Sequence, residues 1–254
     1  MKTELLLWAL GTGTVSALAT GLGAPLVSVL PLDSDDVRSF ASAAAAGMMI
    51  SASVFSLAQE GIDMHAKVAW ATPKVIVGML VGTAFLWWLS SRFDEDSDDP
   101  VPRLGLSRES LLLFLAVVVH SSPEGVAIGV GFATGDMQFG LIMALAISIH
   151  NIPEGIAMSL PMRAEGASVW RCAAISTLTS LPQPLLAVPA AWGFYYFQPI
   201  LPAGLGFAAG AMIYVTIVEL IPDALEYGGE TRTAWGVMVG LCAMLTITVI
   251  LPGG

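Results

Sequence analysis

The chain has 254 residues, of which 56% are hydrophobic and only 12% are charged, and its mean hydropathy is +0.77. Because soluble domains carry about 25% charged residues, this composition excludes an ordinary soluble domain and indicates an integral membrane protein. The formal net charge of −10 comes partly from one acidic segment and says little else. No nucleic-acid partner is expected.

Eight charge-poor stretches follow one another along the chain. Most could cross a hydrocarbon core ~30 Å thick as helices, which takes about 20 residues. Since they are continuously apolar instead of alternating, they predict an all-α bundle of eight transmembrane helices and not a barrel, with residues 1–254 forming a single domain. The stretches are 5–32, 40–58, 75–91, 111–135, 137–162, 172–198, 199–221 and 234–252.

The first stretch is longer than the apolar core of a signal peptide, which has about 7 to 15 residues, so we interpret it as a transmembrane helix. The basic residues then predict the orientation, because cytoplasmic connections are enriched in them. Both termini are expected outside, in the plasma membrane. The cytoplasmic side would hold Arg38, Arg92, Arg103, Arg108, Arg163, Arg171 and Arg232, and the outer side Lys2, Lys67 and Lys74.

One long hydrophilic connection, at about 92–109, separates the third and fourth stretches. Its sequence is SRFDEDSDDPVPRLGLSRES when the flanking residues are included. Low hydrophobicity and dense negative charge favour a solvated, disordered cytoplasmic linker. The alternative is a loose collector of cations near the mouth of a pore.

Two near-copies of one motif lie in the fourth and fifth stretches: HSSPEG at 120–125 and HNIPEG at 150–155. Positions i and i+4 share a helix face, so His120 projects with Glu124 and His150 with Glu154. An ionisable residue at membrane depth costs several kcal/mol unless it is paired. The four side chains therefore need each other or a cation.

Two imidazoles and two carboxylates form a plausible ligand set for zinc or a similar divalent ion. One alternative is a pair of hydrogen-bonded clamps between helices, which is less attractive for two copies than for one. A second is a di-metal carboxylate bundle, but that site uses Glu-x-x-His spacing, and the spacing here is His-x-x-x-Glu.

The motifs resemble the signature helices of the ZIP (Zrt/Irt-like) family of divalent-metal transporters, and are nearest to its prokaryotic GufA-like branch. AAAAGMMISASVFSLAQEGID is similar to the second helix of that family, and LGFAAGAMIYVTIVELIPDA to the seventh. The resemblance implies a transporter of Zn²⁺, or of Cd, Fe, Mn or Co. It also implies a fold in which the first three helices are inverted onto the last three around helices four and five, a homodimer in the lipid bilayer, and no catalytic cofactor.

Residue by residue, the resemblance implies that His120, Glu124, His150 and Glu154 form the primary metal site. It assigns further residues to that site or to the transport path. Asn151 follows the fifth-helix histidine, Ser56 lines the path, and Asp63 and Glu219 are acids along it.

Two positions depart from the family pattern. Ser121 replaces the usual asparagine after the fourth-helix histidine, and Gln183, in LPQPLL, replaces a sixth-helix glutamate. In relatives with two ions these positions serve the second ion, and a neutral amide is a poorer ligand than a carboxylate. We therefore expect one strong metal site and a second that is weak or absent.

Two other functions remain open. An intramembrane zinc enzyme would need a free carboxylate as general base, as in HExxH, but Ser121 and Asn151 occupy the positions beside the histidines. A metal-binding membrane protein without flux is the other alternative.

Farther along the chain, Asp223 and Glu226 are interpreted as solvated residues near a helix end.

Overall fold

The computed structural model describes residues 2–29, 35–91 and 108–250, and within these ranges it contains helices and no strand. The predicted all-α class is therefore confirmed for the described part. Its α-helices are α1 (Lys2–Val29), α2 (Asp35–Ser51), α3 (Gln59–Asp63), α4 (Ala71–Ser90), α5 (Arg108–Ala133), α6 (Met137–Ala164), α7 (Val169–Thr179), α8 (Pro182–Tyr196), α9 (Leu201–Val215) and α10 (Ile221–Ile250).

Two π-helical segments interrupt these helices. Ala52–Ala58 joins α2 to α3, and Thr216–Leu220 joins α9 to α10. Each inserts wider turns into a helix that otherwise continues. Since π-helical turns are rare and occur frequently at functional sites, the polar residues that they carry, Ser56 and Glu219, are of interest for the site.

Five helical segments within the described ranges are long and apolar enough to cross a membrane: Thr3–Ser28, Asp35–Ala66, Ala71–Ser90, Met137–Ala164 and Gln198–Ile250. The predicted stretch 172–198 is divided into α7 and α8 by a turn at Ser180 and Leu181. The last two predicted stretches form one helical segment with a kink at Gly229, whose φ is 68°. The acidic connection predicted at 92–109 lies almost entirely outside the described residues.

A tight turn joins α5 to α6. Gly135 adopts a φ of 83°, and the side chain of Asp136 then accepts hydrogen bonds from the amides of Gln138 and Phe139, which caps the start of α6. His120 lies thirteen residues before the end of α5, and His150 thirteen residues after the start of α6. At 1.5 Å per residue, the two histidines therefore lie at the same depth, about 20 Å from the turn.

The other helices surround this hairpin. Helix α1 packs on α6, α7 and α8, while α5 also packs on α8 and α9. Helix α2 packs on α10 and α6, and α4 packs on α9. The largest group of buried apolar side chains includes Phe132, Met143, Ile147, Leu205 and Met212, so the hairpin contributes to the centre of the core.

An ion pair ties the start of α2 to α10. Arg38 Nη2 donates to Asp223 Oδ1 at 2.5 Å, and Ser42 Oγ donates to Asp223 Oδ2 at 2.6 Å. The guanidinium of Arg38 also lies 3.9 Å from the centre of the Tyr227 ring. The interpretation of Asp223 as a solvated residue is therefore wrong, because both of its oxygens have protein partners. Glu226 is exposed, as expected.

We expect Asp223→Ala to lower the free energy of unfolding by about 1–3 kcal/mol, because it leaves the mostly buried Arg38 and Ser42 without their shared acceptor. Arg232→Ala is the matched control. It breaks the ion pair with Asp36, which is far more exposed and should contribute less than about 1 kcal/mol. Thermal unfolding in detergent, followed by tryptophan fluorescence, measures both. Equal midpoints for the two variants would contradict the expectation.

Candidate metal centre

The α5–α6 hairpin places two histidines and two glutamates against one another. His120 Nε2 lies 2.8 Å from Glu154 Oε1, and His150 Nε2 lies 2.8 Å from Glu124 Oε1. The contacts within each helix are longer: 3.6 Å from His120 to Glu124 and 3.8 Å from His150 to Glu154. Each histidine thus pairs with the glutamate of the other helix, and the two pairs form one cluster.

All four side chains are buried, with at most 6% of any residue exposed. One ligand atom each from His120, Glu124 and Glu154 lies within 4.8 Å of the others, close enough to share an ion. His150 joins the group through its contact with Glu124. An Nε2–H of each imidazole can donate to the carboxylate oxygen 2.8 Å away. Deprotonated imidazoles and carboxylates are also the nitrogen and oxygen ligands that zinc binds in proteins.

The two oxygens of each carboxylate have different surroundings. Oε1 of Glu124 and Oε1 of Glu154 both face the histidines. Oε2 of Glu124 instead accepts a hydrogen bond from Gln183 Nε2, on α8, at 2.5 Å. Oε2 of Glu154 is buried and has no hydrogen-bond partner within the described ranges. The two glutamates are therefore alike at Oε1, which faces a histidine, and differ at Oε2, which among the described residues has a partner only in Glu124.

Asn151 does not turn its amide nitrogen toward the histidines. Nδ2 of Asn151 donates to the main-chain oxygen of Ser16, on α1, at 2.9 Å, and it lies 3.1 Å from Ser16 Oγ. The same nitrogen lies 3.2 Å from Gln183 Oε1. Asn151 Oδ1 is buried without a partner in the described part of the chain. Asn151 and Gln183 therefore form one chain of amides that ends on Glu124.

Glu219 approaches the cluster from the opposite side of His120. Its Oε2 lies 3.6 Å from His120 Nδ1, which is within ion-pair range but longer than a hydrogen bond. The side chain is 25% exposed, whereas His120 is buried. Once an ion takes the place of the Nε2 proton of His120, a carboxylate near Nδ1 would favour the tautomer that leaves Nε2 free to bind the ion.

The remaining predicted residues lie in three different helical segments and differ in burial. Ser121 is buried, and its Oγ has no hydrogen-bond partner among the described residues. Ser56 is buried in the first π-helical segment. Asp63 is exposed at the end of α3 and accepts from the side-chain amide of Gln59, so it lies outside the buried cluster.

The glycine of each motif allows a neighbouring helix to approach. A Cβ at Gly125 would lie 2.7 Å from the main-chain oxygen of Gln183, and a Cβ at Gly155 would overlap the main-chain oxygen of Thr20. Gly125 thereby lets α8 bring Gln183 to Glu124. Gly155 similarly lets α1 bring Ser16 to Asn151. Close approach through glycine is a common means of packing helices in membranes.

Ser16 was not predicted from the sequence. Asn151 donates to the main-chain oxygen of Ser16. Every residue has such an oxygen, so the residue type at position 16 carries little signal. The available signal was that Ser16 recurs at four-residue spacing with Thr12 and Thr20, which places three polar side chains on one face of the helix.

Comparison with known proteins adds independent information. A family profile described as "ZIP Zinc transporter" matches residues 90–248. The chain is 36% identical over 184 residues to the zinc transporter GufA of Myxococcus xanthus, which covers 71% of this chain and 72% of that protein. It is 33% identical over 246 residues to the zinc transporter ZIPB of Bordetella bronchiseptica, which covers 94% of this chain and 80% of that protein.

Two longer relatives are covered only in part. The chain is 41% identical over 148 residues to the zinc transporter ZIP11 of Homo sapiens, which covers 56% of this chain and 43% of the human protein. It is also 35% identical over 238 residues to a protein of Arabidopsis thaliana, of which the match covers 37%. The chain therefore spans less than half of the length of either relative.

We expect Gly125→Ala and Gly155→Ala to lower both thermal stability and zinc binding, because each added methyl group would displace a neighbouring main chain beside the cluster. Gly11→Ala is the control. It lies within α1 with nothing within 4 Å of the added Cβ, and alanine favours a helix over glycine by about 1 kcal/mol. Unfolding midpoints and zinc calorimetry in detergent compare the three variants. Unchanged zinc affinity in the first two would contradict the role given to these glycines.

Proposed function

We propose, for a chain that belongs to the ZIP zinc transporter family, that the buried cluster on α5 and α6 binds a divalent cation during its passage across a membrane. Zinc is the first candidate, and Cd, Fe, Mn and Co suit the same ligands. The observation that carries the proposal is the pair of 2.8 Å contacts by which each histidine meets the glutamate of the other helix.

The proposed ligands are Nε2 of His120 and His150 and Oε1 of Glu124 and Glu154. The atoms from His120, Glu124 and Glu154 lie within 4.8 Å of one another, and His150 Nε2 lies 2.8 Å from Glu124 Oε1, so an ion would replace the protons that now lie between the histidines and the carboxylates. Two carboxylates also balance the charge of a divalent cation, which lowers the cost of holding that charge in a medium of low dielectric constant. The cation is the transported substrate, and no catalytic cofactor is proposed.

The arrangement in the membrane extends this proposal. Eight crossings result if α2 with α3, and α7 with α8, each count as one span and if the kink at Gly229 separates the last two. We propose a single transporter domain in the plasma membrane, with both termini outside and the acidic connection in the cytoplasm. The basic-residue asymmetry supports that orientation. A homodimer is proposed from the family resemblance alone.

The remaining predicted residues are assigned to the path or its edges. Ser56 and Glu219 are buried or half-buried on the two π-helical segments, and Glu219 is close enough to His120 to act on the ion site. Asp63, exposed at the end of α3, suits an acid at the mouth of the path. Asn151 keeps an unused Oδ1 that could face an ion.

We propose one strong ion position per chain. The side of Glu124 that could bridge to a second ion is used by the amide nitrogen of Gln183, which donates and cannot coordinate a cation. Ser121 contributes only a hydroxyl where relatives of the two-ion type have an amide. The charge and ligands for a second ion are therefore incomplete.

An intramembrane metalloenzyme is disfavoured by the surroundings of the cluster. Each of the four ionisable groups contacts a partner of the other type, which leaves none of them free as a general base. The additional carboxylate, Glu219, lies on the Nδ1 side of His120, away from the proposed ion. Zinc flux into proteoliposomes without hydrolysis of peptide or ester substrates would support a carrier. Zinc binding without flux would indicate a sensor or structural protein.

We expect alanine at His120 or His150 to reduce zinc affinity and uptake at least tenfold while leaving membrane insertion intact, because a neutral apolar residue suits lipid. Alanine at Glu124 or Glu154 should reduce them further, since each glutamate supplies charge as well as a ligand atom. Uptake of Zn²⁺ into proteoliposomes and calorimetry measure these effects. Glu226→Ala, on the exposed surface of α10, is the control. Parental uptake by all four variants would refute the assignment.

We expect Gln183→Glu combined with Ser121→Asn to create a second bound ion. The new carboxylate at position 183 would replace the NH₂ donor that faces Glu124, and the new amide at position 121 would add a ligand atom. Two ions bridged by the same glutamates should be released more slowly, so maximal flux should fall below that of the parent. Elemental analysis gives the ratio of zinc to protein, and a ratio near one in a folded double variant would argue against this explanation of the second site.

A further inference from the structure

Gln183 presents its amide nitrogen, not its amide oxygen, to the cluster, and the structure shows what sets this choice. Two contacts define the side chain: Nε2 lies 2.5 Å from Glu124 Oε2, and Oε1 lies 3.2 Å from Asn151 Nδ2. An amide can in principle be reversed, since both ends are similar in size. Its orientation must therefore be fixed by partners whose own hydrogen-bonding capacity is not reversible.

The carboxylate of Glu124, when ionised, can only accept, and the same holds for the second such partner, the main-chain oxygen of Ser16. The end of Asn151 that lies 2.9 Å from it must be the NH₂ group. The same NH₂ group faces Gln183, so the facing atom of Gln183 must be the acceptor, Oε1. Gln183 then has only its NH₂ group left to offer to Glu124. Each step follows from the step before it.

Burial makes this orientation costly to reverse. Asn151, Gln183 and Glu124 are all 0% exposed, so no bulk water can replace a lost partner. Turning Gln183 alone would put two donors against each other at Asn151 and two oxygens against each other at Glu124. A mispaired buried polar group is strongly destabilising, and turning Gln183 creates such a mismatch at both ends.

We infer that Asn151 is a positioning residue: anchored on the main-chain oxygen of Ser16, it holds the NH₂ group of Gln183 on Glu124 and thereby keeps the transporter at one ion per chain. This inference rests on the proposed function of the cluster. It differs from the loss of charge at position 183, because the same glutamine, if reversed, would present Oε1 as a ligand. The polarity of the amide, not only its neutrality, excludes the second ion.

Asn151→Asp tests the inference, because an aspartate can only accept. It can no longer hold Gln183 Oε1, and it competes with Glu124 for the NH₂ group of Gln183, so the amide is free to turn away from Glu124. Gln183 Oε1, Glu124 and the new carboxylate would then surround an oxygen-lined position. We expect the ratio of zinc to protein, measured by elemental analysis, to rise from about one to about two. In the double variant Asn151→Asp with Gln183→Leu there is no amide to reverse, and the ratio should return to about one.

Thr20→Val is the matched control for changes in the α1 contact. Thr20 also lies on α1 and is buried, and its hydroxyl pairs with Ser180 Oγ at 2.7 Å, but it has no part in the chain of amides. The ratio of zinc to protein in Thr20→Val should remain at about one. Two ions in both Asn151→Asp and the double variant would overturn the inference, since the new carboxylate would then suffice. One ion in folded Asn151→Asp would overturn it as well.

A measurement on the parent protein keeps the inference testable if the variants do not fold. In protein labelled with ¹⁵N at glutamine side chains, the NH₂ signals of Gln183 can be assigned by their loss in Gln183→Leu. We expect a strongly hydrogen-bonded signal that persists in excess Zn²⁺, because the ion binds on the Oε1 side of Glu124. Loss of that signal on adding Zn²⁺ would overturn the inference. A parent that binds no zinc would instead refute the proposed function.

Discussion

The structure depends on one constraint: ionisable groups in an apolar interior must find partners at the same depth. The α5–α6 hairpin meets it by antiparallel symmetry. Because each helix carries a histidine followed four residues later by a glutamate, reversing one helix against the other places each histidine beside the opposite glutamate, at 2.8 Å in both cases. A parallel pair with the same sequence would align like with like and place two carboxylates side by side.

The sequence predicts this cluster because the features that form it, the spacing within each motif and the short turn between the helices, lie close together in the chain. Spacing of i and i+4 fixes the shared face of His120 with Glu124, and the short turn at Gly135 fixes the relative depth of the two helices. Contacts that depend on helices distant in the chain were not predictable in the same way. Ser16 meets Asn151 only because Gly155 lets α1 approach, and the acceptor is a main-chain atom.

The same distinction explains where the sequence misled. Asp223 resembles a solvated helix-end acid until α2 packs against α10 and brings Arg38 to it. Apolar continuity suggested one helix over 172–198, but the chain turns at Ser180 and Leu181 before Pro182, whose ring cannot supply an amide donor to continue α7. Hydropathy measures the solvent preference of a segment and carries no information about breaks within it. The all-α fold class was therefore predicted more successfully than the bounds of the individual helices.

The contacts around the cluster are unequal between its two halves. Both groups on α5 are held from outside the hairpin, Glu124 by Gln183 and His120 by Glu219 at ion-pair distance. Both groups on α6 retain a buried atom without a partner among the described residues, Nδ1 of His150 and Oε2 of Glu154. Among the described residues, moving the side chains of His150 and Glu154 breaks no hydrogen bond or ion pair outside the hairpin, whereas moving those of Glu124 and His120 breaks two. The α6 pair can therefore rearrange at lower cost than the α5 pair, which suits the binding and release of the proposed ion.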